Sequence, residues 1–318
     1  MLAPTGLDRL TGLFSRAAQT DRVHHAYLIE GERGAGKRTL ANYAAALLLC
    51  DTHDACGHCP ACNMLASGAN PDFTRIGLAD KSVITVDQVR ALIKEVYVRP
   101  FSGNRRVFVI EDAHLLNPAA QNALLKVIEE PPAYAVFLLL SENAGALLPT
   151  IRSRSFLLRI PPRNAEDLRK IVPDADETAL FFSRGNPGIA QNLASDEHFH
   201  ALRNELFRAA EALFSDDAFD VYSVCDFFEA HKEERDTVFS LFALLMRDLL
   251  LTKEGLFSLC VNGDSTDKLT ALSQKISRKA CIKLIQTVLN AQKELGKYGN
   301  YTIAVQAMLL QCREDING

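Results

Sequence analysis

Two groups of residues in this chain have the types and spacing to do chemistry, and they follow one another closely. The first is Gly31-Glu-Arg-Gly-Ala-Gly-Lys37, a glycine-rich run ending in lysine. Glycines in such a loop let backbone N–H groups wrap a phosphate, and the helix that follows adds the positive end of its dipole. The lysine reaches the β- and γ-phosphates. Gly31, Gly34, Gly36 and Lys37 are therefore candidate nucleotide contacts. The second group is Cys50-x5-Cys56-x2-Cys59-x2-Cys62. Four thiolates at this spacing suit a tetrahedral Zn²⁺, and four protein ligands leave no open position for catalysis. Cys50, Cys56, Cys59 and Cys62 are expected to hold a structural zinc that closes a loop too short to build its own core. His53 and His58 lie near enough in sequence to replace one cysteine, and four unrelated free thiols are the plain alternative.

The phosphate loop departs from the pattern that hydrolyses nucleotides. The position after the lysine normally carries the Ser or Thr that holds Mg²⁺. Here it is Arg38, with Thr39 one place late. One residue along a helix turns a side chain by ~100°, so Thr39 is not a simple replacement. The acidic pair after the apolar run RVFVI is also altered. Asp then Glu is the usual order, the Asp supporting Mg²⁺ and the Glu orienting the attacking water. This chain has Glu111-Asp112. Phosphoryl transfer depends on positioning, so both changes argue against efficient hydrolysis. The expectation is a degenerate site for ATP and Mg²⁺, binding weakly, or a loop kept only for its fold.

These residues need a scaffold, and the apolar pattern supplies one. A helix over 7–20 leads to a strand at His25–Glu30 that runs into the glycine loop, and a helix over Lys37–Leu49 leaves it. Strands are predicted at Phe73–Gly77, Arg106–Ile110, Ala135–Leu140 and Phe156–Ile160. Helices are predicted at Thr85–Tyr97 and Pro118–Glu130, the latter stopped by Pro131-Pro132. Strands that are apolar on both faces and alternate with helices imply a parallel sheet covered on both sides. Pro161-Pro162 reads as a hinge. A small helical set follows over 163–196, punctuated by Gly185-Asn-Pro-Gly188. From Phe199 onward the pattern is helical, with long stretches at Ala201–Phe214, Asp236–Lys253, Lys279–Leu295 and Thr302–Cys312. The fold class expected is α/β plus α in three regions: 1–162, a nucleotide-type α/β domain with the cysteine knuckle; 163–198, a small helical lid; and 199–318, a helical bundle.

Bulk properties narrow the function. The 318 residues are 48% apolar and 23% charged, with no tryptophan and a net charge of −4. Such a balance gives no global basic field for nucleic acid, so any DNA contact would be local or shared with partners. No apolar run reaches the ~20 residues that span a bilayer. The amphipathic start lacks the apolar core of a signal peptide. A cytoplasmic protein is expected, where thiols stay reduced and clustered cysteines mean metal rather than disulfides. Cys225, Cys260, Cys281 and Cys312 sit among apolar residues and read as core.

Several segments resemble a known family. HAYLIEGERGAGKRTLA, the cysteine knuckle, VDQVRALI, RVFVIEDAHLLNPAAQNALLKVIEEPP and TIRSRS together are similar to the bacterial clamp-loader subunits of the AAA+ class, within the DNA polymerase III system. They cover roughly residues 24–160, and NALLKVIEEPP (Asn122–Pro132) is the most specific of them. The Asn300-x-x-Ile-Ala-x-Gln run is the one further match, in the bundle. The resemblance implies a RecA-like AAA+ domain, a lid and an oligomerisation collar. Motor subunits of this family, tau or gamma, carry an intact loop, an Asp-Glu pair and an arginine in the lid. Arg38, Glu111-Asp112 and Gly188 all lie on the side of the delta-prime branch, which the family view treats as a rigid partner. Ser153-Arg154-Ser155 stands where the family shows Ser-Arg-Cys. That match implies that Arg154 reaches a neighbour's ATP as an arginine finger; read from the residues alone, Arg152 and Arg154 are a solvated basic edge in a turn after a buried strand. Ser141 and Asn143 occupy the family's nucleotide-sensing position. The implied partners are the tau/gamma ATPases and a delta subunit in a hetero-oligomeric ring, with the sliding clamp and primed DNA reached through the complex. The rival readings are an ATP-hydrolysing motor subunit and a zinc-bearing DNA-binding module.

Overall fold

A computed structural model describes residues 2–78, 82–215, 217, 219–295 and 300–317. Cα packing divides them into two compact units: residues 1–173 with 183–190, and residues 174–182 with 191–318. The helices of the expected lid region are shared between these units.

The first unit is built on five parallel strands: β1 (Ala26–Glu30), β2 (Phe73–Ile76), β3 (Arg106–Ile110), β4 (Ala135–Ser141) and β5 (Phe156–Arg159). Their order across the sheet is β2-β3-β4-β1-β5. Leu28 of β1 lies opposite Leu139 of β4 and Leu157 of β5. Helices α1 (Asp8–Gln19), α2 (Lys37–Leu49), α3 (Pro60–Ala66), α4 (Val86–Val96), α5 (Pro118–Glu129) and α6 (Pro149–Ser153) connect and cover the strands. Successive side chains of a strand point to opposite faces, and the core divides accordingly. Tyr27, Ile29, Val107, Val109 and Leu138 pack with α1 and α2. Leu28, Phe108, Ile110, Phe137 and Leu139 pack with α4 and α5. The three middle strands thus read as apolar runs because both faces are covered. β5 is an edge strand, with Phe156 and Leu157 exposed, so the expectation of burial on both faces fails there. A charge at the start of a buried strand needs partners: Arg106 donates to the carbonyls of Glu95 at 2.8 Å and Pro71 at 2.9 Å. The N–H of Thr85 donates to Gln88 Oε1 at 2.9 Å and fixes the start of α4.

The segment after the sheet carries α7 (Ala165–Ile171), α8 (Glu177–Phe182) and α9 (Pro187–Ala194). The second unit contains α8 and the helices α10 (Glu197–Leu213), α11 (Asp220–Ala230), α12 (Arg235–Lys253), α13 (Thr266–Gln274), α14 (Arg278–Leu295) and α15 (Tyr301–Asn317). Its core centres on Phe207, Phe228, Phe239 and Phe242, with Cys260, Cys281 and Cys312 buried among them. One buried cation is held inside it. Arg203 donates to Asn262 Oδ1 at 2.9 Å and pairs with Asp264 and Asp176. No helix among the described residues is long and apolar enough to cross a membrane.

Candidate functional site

β1 delivers Glu30 to the start of the glycine loop, and α2 begins at Lys37. The N–H of Gly31 donates to the Ser141 carbonyl at 3.1 Å, which anchors the loop to the end of β4. Gly34 and Gly36 have φ of +83° and +95°, the left-handed region that glycine enters without penalty. Gly34, Gly36, Lys37, Arg38 and Thr39 line one cleft of about 670 Å³. Glu111 and Asp112 line it from the end of β3. Three of the expected nucleotide residues, Gly31, Ser141 and Asn143, are not part of its lining. Gly31 faces a neighbouring cavity, and the fully buried Ser141 spends its hydroxyl accepting the Asn143 N–H at 3.1 Å.

Within the cleft the charged groups are engaged with one another. Lys37 Nζ donates to the carbonyls of Gly31 at 2.7 Å and Glu32 at 2.9 Å. Burial pushes its pKa below the ordinary value, opposed by Glu142 and Asp112. Arg38 holds Glu111 in a fork, Nε to Oε1 at 2.7 Å and Nη2 to Oε2 at 2.6 Å. Arg75 adds a second cation 3.4 Å from Glu111 Oε1. Bidentate pairs of this kind are the strong form of the arginine–carboxylate contact. The residue at the Mg²⁺-ligand position and the carboxylate of the acidic pair are therefore tied to each other. Asp112, His114 and Glu142 bring donor atoms within 4.8 Å of one another in the same cleft. His114 follows the acidic pair into the cleft, whereas Glu142, which no sequence motif marks, enters it only because β3 and β4 lie side by side.

The loop is also braced from outside. Asn186 Nδ2 donates to the Arg33 carbonyl at 2.8 Å, and the Gly188 N–H donates to the Gly34 carbonyl at 3.1 Å. A Cβ on Gly188 would stand 2.5 Å from the Gly34 Cα, so the two backbones meet without room for a side chain. Arg163, buried, donates to the Ala35 carbonyl at 3.2 Å and the Thr5 carbonyl at 3.0 Å. Glu30 takes Arg159 Nε at 2.8 Å and the Ala144 N–H at 2.9 Å, and these bonds hold its carboxylate below the usual range. None of Arg75, Arg163 or Asn186 carried a sequence signal of its own.

The four cysteines gather as the spacing predicts. Their sulfurs lie within 4.8 Å of one another, and Cys50 Sγ is 3.9 Å from Cys59 Sγ. Four bonds of ~2.3 Å directed tetrahedrally separate sulfurs by roughly this distance, so the residues fit a closed four-thiolate site. Cys59 caps α3 and Cys62 lies in its first turn, which places two ligands by helix geometry; this short helix is not among those the sequence pattern predicts. Burial raises the Cys50 thiol, but hydrogen bonds from Thr52 and from the N–H groups of Cys56, Thr52 and Asp54 bring it down to about 6. Burial pushes Cys62 up to about 12. The histidines turn away: His53 Nδ1 meets the Leu47 carbonyl at 3.2 Å and His58 Nδ1 the Cys56 carbonyl at 3.0 Å.

Arg154 sits elsewhere, at the C-terminus of the short helix α6 and ahead of the edge strand β5. Arg154 lies in a turn as expected, while Arg152 belongs to the helix that Pro149 starts. Arg154 is exposed and lies outside the lining of the cleft.

Comparison with known proteins agrees with this architecture. The family described as "DNA polymerase III, delta subunit" matches residues 6–164, and "DNA polymerase III, delta subunit, C terminal" matches residues 197–314. A DNA polymerase III subunit delta' of Pseudomonas aeruginosa is 39% identical over 213 residues, 63% of this chain and 64% of that protein. The subunit delta' of Escherichia coli is 36% identical over 194 residues, 58% of each. A DNA polymerase III subunit gamma/tau of Mycobacterium tuberculosis is 32% identical over 245 residues, 70% of this chain and 42% of that protein. The chain thus spans about three fifths of the length of the two delta' relatives and about two fifths of the gamma/tau relative. Among solved structures, a DNA polymerase III gamma subunit-related protein of Thermotoga maritima aligns with 96% of this chain and 99% of its own, at 18% identity and a TM-score of 0.42. With both family segments matched in order along the parallel sheet and the helical unit, the chain belongs to the DNA polymerase III delta-subunit family.

Proposed function

We propose that this chain is a delta-prime-type subunit of the replicative clamp loader, a stationary member that helps ATP-driven placement of the sliding clamp on primed DNA. Its partners in this reading are tau/gamma ATPase subunits and a delta subunit in a hetero-oligomeric cytoplasmic ring. The bundle over 199–318 forms the collar, the segment 163–198 the lid, and the AAA+ domain over 1–162 carries the nucleotide-type cleft. Arg154 is donated to a neighbour's ATP site. A guanidinium supplied in trans stabilises charge on the transferring phosphoryl group and is worth a factor of ~10³–10⁵ in rate. Cys50, Cys56, Cys59 and Cys62 hold a structural zinc.

The observation that carries this reading is the Arg38–Glu111 fork. In a hydrolysing subunit the first position holds Mg²⁺ and the acidic pair handles metal and water. Here they neutralise each other, so Gly34, Gly36, Lys37, Thr39 and Asp112, the expected residues that do line the cleft, form at most a weak ATP/Mg²⁺ site. The gamma/tau relative keeps a motor reading in view, and the same measurement separates the two. The purified chain is mixed with motor and delta subunits and followed by size-exclusion chromatography, and its own ATP turnover is measured alone with Mg²⁺. Co-elution in one complex with background turnover by the isolated chain is expected. Robust turnover by the chain alone would assign it to the motor class, and failure to co-elute would remove it from the loader.

A further inference from the structure

Arg154 is not left free in this chain. Its Nη2 lies 3.1 Å from Glu129 Oε1, at the end of α5. Its other contacts, Nη1 to the Thr150 carbonyl at 3.4 Å and to Ser153 Oγ at 3.5 Å, are at the limit of hydrogen bonding. Glu129 is therefore the partner that sets the direction of the guanidinium. The same helix fixes the backbone that carries Arg154. Gln121, buried two turns earlier on α5, accepts the Leu148 N–H at 2.8 Å and donates to the Ala146 carbonyl at 3.3 Å, where α6 begins. Leu124, Val127 and Ile128 between them are packed into the sheet core. One rigid helix thus holds α6 at its start through Gln121 and aims the arginine at its end through Glu129.

We propose that Glu129 is a positioning residue for Arg154, aligning the guanidinium for a phosphate of a neighbouring subunit; this rests on the arginine-finger reading above. The side chains are 41% and 43% exposed. Pairs this open hold weakly, so Glu129 biases the rotamers of a long side chain without locking it, and a phosphate competes for it readily. The contribution is to pre-organisation and should appear in the chemical step.

The test is stimulated ATP turnover in the assembled loader with Glu129→Ala, Glu129→Asp, Arg154→Ala and the double variant Glu129→Ala/Arg154→Ala. Glu129→Ala is expected to lower kcat by about two- to fivefold, the size open to an exposed pair, with KM for ATP unchanged. Glu129→Asp is expected to recover part of the loss. The double variant is expected to match Arg154→Ala alone, because Glu129 acts only through the arginine. Unchanged or increased kcat in Glu129→Ala, beside a large loss in Arg154→Ala, would overturn the positioning role and leave the finger standing. A double variant worse than Arg154→Ala by the full Glu129 effect would assign Glu129 a separate role and overturn the proposal. No effect of Arg154→Ala would overturn the finger reading and this proposal with it.

Discussion

The bracing of the phosphate loop by the Asn186–Gly188 segment makes a quantitative prediction about glycines. A Cβ on Gly34 would lie 2.9 Å from Asn186 Oδ1 and 2.9 Å from the Gly188 Cα, and Gly34 has φ +83°. Gly103 has φ +75° with nothing within 4 Å of its Cβ position. Both substitutions to alanine carry the left-handed backbone cost, about 1–2 kcal/mol. Only Gly34→Ala adds overpacking, typically about 1–3 kcal/mol. The expected totals are therefore roughly 2–5 kcal/mol for Gly34→Ala and roughly 1–2 kcal/mol for Gly103→Ala. At about 2–4 °C per kcal/mol for a unit of this size, the first should lower the melting temperature by roughly 4–20 °C and the second by roughly 2–8 °C. Gly12, inside α1 with open space around it, supplies the opposite sign. Gly12→Ala should stabilise by about 0.5–1 kcal/mol. Thermal unfolding of the four proteins, followed by circular dichroism, reads all of these. If Gly34→Ala costs no more than Gly103→Ala, the segment does not bear on the loop as described.

Other outcomes follow from the same structure. Protein purified without chelator should contain about one zinc per chain, and Cys59→Ser should lose it; less than about half an equivalent in the unsubstituted protein would count against the closed thiolate site. Arg38→Ser returns a hydroxyl to the Mg²⁺-ligand position and frees Glu111, yet the reversed Glu111-Asp112 pair should still keep turnover by the isolated chain at background; Mg²⁺-dependent hydrolysis would show that Arg38 alone was the barrier. Glu234, 2.8 Å from His198 Nε2, raises the His198 pKa above its ordinary 6.5. A raised folded pKa favours the folded state below the ordinary value, and that contribution disappears as pH rises through the raised one. In an NMR titration, Glu234→Gln should move the His198 midpoint down toward 6.5; an unmoved midpoint would discard the pairing.

Much of this site was legible because local rules govern it. The runs RVFVI and AVFLLL became β3 and β4 at nearly the predicted boundaries, since a strand covered on both faces needs no alternation. The cysteine spacing gathered four sulfurs because a knuckle is specified by short-range turns and one helix start. What stayed hidden depends on pairs distant in sequence. Arg38 meets Glu111, and Asn186 meets Arg33, only once the sheet has brought their loops together. β5 was expected to be covered on both faces because its composition is apolar, but strand order puts it at the edge. Arg154 does stand in a turn, but that turn closes a short helix started by Pro149 at its first position, which the apolar pattern alone does not show.

The central claim is that this chain serves a neighbour's chemistry instead of performing its own. DNA- and clamp-stimulated ATP turnover in a reconstituted loader tests it most directly, with Lys37→Ala and Arg154→Ala placed in this chain alone. The account predicts a large loss with Arg154→Ala and little change with Lys37→Ala. A large loss with Lys37→Ala, and none with Arg154→Ala, would contradict it and return the chemistry to this chain's own phosphate loop.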